Sequence, residues 1–151
     1  MPWEFKSPAR HRKPQARAKA AFRNMKRRAG NATGVEPAYA NVQLLITKDV
    51  WLAWAIPEYE RFQANHPDMS PCVSRFEDTG HYELDNIEII SVAENRARQK
   101  AILLLKPDGT KLCSMCREIK NGAMFAKSRR RPDGLSHQCR RCRSDYYKRR
   151  R

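Results

Sequence analysis

The sequence predicts an α+β fold: helices leading into a strand–strand–helix (ββα) unit, followed by a small cysteine-rich module. Three observations carry this. Aromatic and apolar residues recur at helical spacing between Trp51 and Phe62. Two short apolar strand candidates then precede Ser91-Val92-Ala93-Glu94, a Ser-x-x-Glu capping box that opens a helix. Finally, Cys113-Ser-Met-Cys116 and Cys139-Arg-Arg-Cys142 form two C-x-x-C pairs separated by about two dozen residues, the spacing of a four-thiolate zinc site.

Residues 1–18 are rich in Arg, Lys and Pro and read as a disordered basic tail. Ala18, Ala20, Ala21, Phe22 and Met25 favour a helix from about Gln15, with Lys26, Arg27 and Arg28 suiting its C-terminal end. Gly30 and Asn31 stop it, and residues 30–41 read as a loop. Val42–Ile46 is a short strand candidate. Thr47 can cap a helix carrying Asp49 in its first turn. Pro57 suits the first turn of a continuing or second helix, with Tyr59 and Phe62 on its core face. His66 reads as a helix-end residue. The domain expected over residues 19–105 ends in the ββα unit at about 71–105. Its strands are Pro71–Phe76 and Ile87–Ile90, its turn Glu77-Asp78-Thr79-Gly80, and its helix runs from Val92 to about Leu105. Residues 106–151 make the zinc module, and Cys72 reads as a small buried hydrophobe.

A four-thiolate site fits the cysteines because a two-residue gap lets one turn aim both sulfurs at one point, and neighbouring cations favour the thiolate. The alternative is two disulfides or four ordinary buried thiols. His137 is a further potential ligand, but four thiolates suffice.

The chain of 151 residues carries a net charge of +15, which points to a polyanionic partner, most often nucleic acid. The charge is segregated. Residues 1–28 hold ten Lys/Arg against one acid, and residues 106–151 hold fifteen against four. The intervening stretch holds six against eleven, so two basic arms flank an acidic centre. There is no apolar N-terminal run and no stretch of membrane-spanning length. A cytosolic or nucleoid location is therefore expected, where thiols stay reduced.

Several segments resemble a known family. Met25-Lys26-Arg27-Arg28, Ile46, Trp51, Phe62, Met69-Ser70-Pro71-Cys72-Val73-Ser74-Arg75, Phe76-Glu77-Asp78-Thr79-Gly80-His81-Tyr82, Asn86 and Glu94-Asn95 follow one order. That order resembles the HNH (His-Me finger) endonucleases carried by bacteriophages, many of them homing endonucleases. The resemblance covers residues 21–100. It implies that Asn86 braces the loop between the strands and that Asn95 takes the last metal-ligand position on the helix. The first strand of the family supplies a metal ligand and then a general-base His. Here those positions fall on Ser74 and Arg75, a departure.

Phosphodiester cleavage needs a divalent ion and a base. Mg²⁺ or Mn²⁺ would take oxygen from Glu77, Asp78 and Asn95 if the turn folds toward the helix. His81 is the nearby candidate base, and Arg75 suits phosphate contact. Glu77 and Asp78 equally suit a turn's own backbone bonds, and His81 a surface turn.

Lys111-Leu112-Cys113-x-x-Cys116, Phe125, Asp133-Gly134-Leu135, Cys139-x-x-Cys142 and Tyr146 resemble the four-cysteine motif beside phage recombination endonuclease VII and HNH domains. That implies a treble-clef finger with Phe125 and Leu135 beside the metal. Arg129, Arg130 and Arg131 would sit on its hairpin tip, and Arg140, Arg141, Arg143, Lys148, Arg149, Arg150 and Arg151 on its helix. With Arg27 and Arg28, these form the expected phosphate-contacting set.

The function implied is a DNA endonuclease of the host-cell cytoplasm, with structural zinc and catalytic Mg²⁺ or Mn²⁺. The alternative is a non-catalytic DNA- or RNA-binding protein on the same scaffold, acting in regulation, packaging or nucleoprotein assembly. An RNA-associated basic protein is a third, weaker reading.

Overall fold

A computed structural model describes residues 13–29, 39 and 41–149. It is a mixed α/β structure with four α-helices and three two-stranded antiparallel sheets among the described residues. None of these helices is long and apolar enough to cross a membrane.

Helix α1 spans Pro14–Ala29. Proline suits its first turn because its missing N–H would be unsatisfied there anyway. The expected tail therefore ends earlier than residue 18, and Ala18 is fully buried in the core. Residues 1–12 of that tail lie outside the described residues, as do Gly30, Asn31, Gly34 and Pro37 of the expected loop.

Helix α2 spans Lys48–Asn65. Thr47 caps it, its hydroxyl accepting from the Val50 amide at 3.4 Å. It is a single helix with Pro57 inside rather than two. Trp51, Ala55 and Tyr59 are buried at four-residue spacing, which stacks them on one face. Met25, Ile46, Tyr82 and Ile87 share the same core. The Trp51 indole N–H donates to the Ala18 carbonyl at 2.8 Å, which joins α1 to α2. Phe62 is half-buried and packs against His66, ring centroids 4.9 Å apart.

Val42–Ile46 is not a strand of its own. Leu44 makes an isolated parallel bridge with Tyr82, through Leu45 N to Tyr82 O and Tyr82 N to Gln43 O, both 2.9 Å. Its neighbour is a loop residue, so the ladder has nothing to extend along.

Strands β1 (Pro71–Arg75) and β2 (Ile87–Ser91) pair antiparallel, with Arg75 opposite Ile87 and Pro71 opposite Ser91. The connection between them, residues 76–86, agrees with the expected strand bounds to within one residue. It includes 3₁₀ turns at Phe76–Asp78 and Leu84–Asn86. Helix α3 spans Val92–Ile102, and the Ser91 hydroxyl accepts from the Glu94 amide at 3.0 Å. The return half of the capping box does not form, because Arg98 takes the Glu94 carboxylate at 2.5 Å and also pairs with Glu88. The helix stops short of Leu105. Its last turn is redirected: the Leu103 carbonyl accepts from the Lys111 ammonium, and the Leu105 amide donates to Asp133 at 2.9 Å.

The C-terminal module consists of two hairpins and a helix. Strand β3 (Thr110–Leu112) pairs with β4 (Ile119–Asn121), and β5 (Phe125–Lys127) with β6 (Leu135–Cys139). Helix α4 (Arg140–Lys148) follows directly, with Cys139 as its N-cap. Arg150 and Arg151 lie outside the described residues.

Candidate metal centre and the adjoining loop

The four sulfurs of Cys113, Cys116, Cys139 and Cys142 lie within 4.8 Å of one another. All five cysteines are free of disulfides, which removes the alternative pairing. Zinc–thiolate bonds of ~2.3 Å put tetrahedral sulfurs ~3.8 Å apart, so the ligand set fits Zn²⁺ after a small contraction. Each sulfur has a structural reason to be there. Cys113 and Cys116 sit on a knuckle after β3, closed by Cys113 N to Glu118 O and Arg117 N to Cys113 O, both 3.0 Å. Arg117 takes a left-handed conformation (φ 59°) to complete the turn. Cys139 ends β6, and Cys142 lies in the first turn of α4, where helix N–H groups favour negative charge.

Without a cation the cluster favours the anion at one sulfur and disfavours it at two. Burial pushes the Cys113 thiol up, but N–H groups of Cys139, Cys116 and Met115 overcome it and bring the group down to about 7. Burial and the neighbouring sulfurs of Cys139 and Cys116 push Cys142 up to about 12. Burial also raises Cys116. Four thiolates this close repel one another, and a divalent cation at their centre removes that conflict. The Lys120 ammonium, 3.7 Å from Cys139 Sγ, offsets the remaining negative charge. Phe125 is buried against the cluster, with Leu135 and Met115 packed beside it. His137 is not in the cluster. Its Nδ1 lies 3.0 Å from Arg131, and burial, Arg131 and Lys111 lower its pKa.

A second buried feature, absent from the sequence-predicted site, ties this module to α3. Lys111 is fully buried and pairs with Asp133, itself nearly buried. Lys111 also bonds Leu103 O, while Asp133 accepts from Leu105 and Leu135 amides. The alternation within β3 points residue 111 inward, which is the signal that could have identified it.

The loop between β1 and β2 holds most of the other sequence-predicted residues. Asn86 donates both amide hydrogens to the loop, to Thr79 O at 2.9 Å and His81 O at 2.8 Å. Gly80 (φ +69°) must be glycine, since a Cβ there would lie 2.7 Å from Asn86 Nδ2. His81 Nδ1 accepts from the Gln43 amide at 3.1 Å, which puts the neutral ring's proton on Nε2. Arg75 is buried rather than surface-displayed, bonded to Gly80 O at 2.7 Å and Asp78 at 3.1 Å. The rings of Tyr39 and Tyr82 flank its guanidinium. Asp78 does not turn toward Asn95. Its second oxygen accepts from Arg117 of the knuckle at 3.2 Å. Glu77 is exposed at φ 53°. Asn95 instead meets Ser74, Oγ to Oδ1 3.2 Å, and its hydrogen bond to the half-buried Cys72 moderates the rise that burial gives that thiol.

Beside this loop a groove of about 1000 Å³ opens between α3 and the knuckle, lined among others by Phe76, His81, Arg98, Lys106, Arg117 and Ile119.

The sequence-predicted phosphate contacts divide in two. Arg129, Arg130, Arg131, Arg140, Arg141 and Arg143 are exposed on the β5–β6 connection and α4, as is Arg27 on α1. Arg28 is half-buried, its guanidinium 5.1 Å from the Tyr39 ring centre, so it is in part a packing group. Arg131 is shared with His137, and Arg143 lies over Tyr147.

Against known proteins, no family model, no curated protein and no solved structure matches this chain.

Proposed function

We propose that the protein binds nucleic acid through a zinc-stapled basic module, on a scaffold resembling that of the HNH endonucleases. The observation that carries this reading is the four-cysteine cluster at the root of α4. It lies at the start of a helix that has no buried residue and whose Arg140, Arg141, Arg143 and Lys148, with Arg149 at its end, are all exposed. Zinc bound by the four cysteines would supply structural stability, since so small a module has little apolar core. Arginine and lysine at this density suit phosphate oxygens, which position a duplex without reading its sequence. The finger is proposed as treble-clef-like, and the setting as the host-cell cytoplasm of a phage-encoded protein.

Cleavage is the second reading. What favours it is the placement of His81 and Asn86 on the loop bordering the groove, with Asn95 close to Ser74. What weighs against it is the donor set. Ser74 and Asn95 offer neutral oxygen, a weak pair for Mg²⁺ or Mn²⁺. Asp78 is paired with two arginines, and the base position holds a buried arginine, Arg75, in place of a histidine.

Incubation with supercoiled plasmid, with and without Mg²⁺ or Mn²⁺, separates the two readings. Binding by gel shift with intact plasmid under every metal is the result expected of the binder. Metal-dependent nicking that disappears in His81→Ala establishes the enzyme. Neither binding nor nicking overturns both.

A further inference from the structure

The described residues contain three non-glycine positions with positive φ: Glu77 (53°), Asp78 (56°) and Arg117 (59°). All three meet at one junction. Arg117 immediately follows Cys116 in the knuckle, and its Nη2 donates to Asp78 Oδ2 at 3.2 Å. Asp78 and Glu77 form the start of the loop that carries Gly80 and His81.

Two consecutive left-handed residues with side chains do not hold themselves. Here the loop is held by its partners: Asn86 holds the Thr79 and His81 carbonyls, and two arginines hold its Asp78 end. Arg75 takes one Asp78 oxygen and the Gly80 carbonyl, but Arg75 belongs to the adjoining strand. Arg117 takes the other Asp78 oxygen from outside the hairpin. Its own backbone conformation is dictated by the knuckle, through Arg117 N to Cys113 O. The direction of Arg117 therefore depends on the knuckle being closed, and closure is what four thiolates around one cation enforce.

We infer that Arg117 is a positioning residue that transmits closure of the four-cysteine knuckle to the Glu77–His81 loop. Metal loading of one module then fixes the loop of the other, although they lie apart in sequence. The inference rests on zinc occupying the four cysteines, and it does not depend on whether the loop binds or cleaves nucleic acid.

Hydrogen exchange tests it on the full chain. Two amides report on the loop: Thr79, bonded to Phe76 O, and Tyr82, bonded to Gln43 O. The amides of Cys113 and Arg117 report on the knuckle. Zinc content is measured on every sample, so a chain that binds no zinc refutes the metal-centre reading separately. In the zinc-loaded protein, Arg117→Ala is expected to speed Thr79 exchange about three- to tenfold, while zinc stoichiometry and knuckle protection stay unchanged. Arg117→Lys, which keeps the charge, is expected to restore part of that protection. Chelation of zinc from the wild type should speed Thr79 as Arg117→Ala does. In Arg117→Ala, chelation should speed Thr79 little further. Wild-type Thr79 protection in zinc-loaded Arg117→Ala would overturn the inference. So would a loop that stays protected when zinc removal loosens the wild-type knuckle.

Discussion

Lys111 and Asp133 join the end of α3 to the C-terminal module. Lys111 is buried and Asp133 nearly so, and each also bonds backbone at the end of α3. Removing one partner strands the other charge out of water, which costs about 3–5 kcal/mol. Asp133→Asn is expected to destabilise the protein by about 3 kcal/mol in urea melts of the zinc-loaded chain. Burial pushes the Asp133 carboxyl up, but Lys111 and the amides of Leu135 and Leu105 outweigh it and hold the group below the usual carboxylate range. Its folded value lies below its unfolded value. The pair's contribution is thus present above the ordinary aspartate value of ~3.9 and is lost as pH falls through the lower folded value. The stability gap between wild type and Asp133→Asn should hold from about pH 8 to 5 and narrow below about pH 4. Gly80 makes a second test at this scale. Gly80→Ala combines a left-handed φ with a clash on Asn86, and should cost about 1–3 kcal/mol. Circular-dichroism melts would check it. At the residue scale the sequence was readable where a side chain acts locally, as with Thr47 and Ser91 at their helix starts. It was not readable where a role depends on distant partners. Arg75 looks like a surface cation in its own segment, and its burial follows from Asp78, Gly80 and two tyrosines assembled around it.

At the scale of elements, local periodicity carried the long helices and the hairpin strands. It failed for Val42–Ile46, because a ladder needs a partner and Tyr82 offers a single bridge. It also misplaced the end of α3, since Lys111 and Asp133 intercept the last turn from another module. The bounds of the β1–β2 connection were legible, but not the two 3₁₀ turns inside it. The cysteine pairs were legible because their spacing alone encodes the knuckle and the helix start. The remaining candidate site was not, because the meeting of Ser74 with Asn95 and of Asp78 with Arg117 is tertiary. The elements should also come apart separately. The α1–α2 core around Trp51 shares no buried residue with the cluster around Cys113 and Phe125. Stripping zinc with a chelator is expected to expose Phe125 and unravel α4 while the tryptophan emission maximum, to which Trp51 and Trp54 contribute, stays in place. A red shift of the tryptophan emission on chelation would show the two cores to be one cooperative unit.

For the whole molecule, the charge asymmetry sets the behaviour. A net charge of +15 concentrated in the terminal arms gives a field that attracts polyanions and weakens with salt. The exposed arginines of the β5–β6 connection and α4 carry no recognisable base-reading set, so affinity should depend more on salt than on sequence. Substituting Arg129, Arg130, Arg140 and Arg143 together by Ala is expected to leave the melting behaviour and zinc content intact and to flatten that salt dependence. The most direct measurement of the central claim is the affinity of the zinc-loaded chain for a labelled DNA duplex as a function of salt, by fluorescence anisotropy. The account predicts that log Kobs falls linearly with log salt, with a slope of about −4 or steeper in the wild type and one shallower by about 3 in the four-arginine variant. A wild type that fails to bind at low salt, or a variant that binds with the same slope, would contradict it.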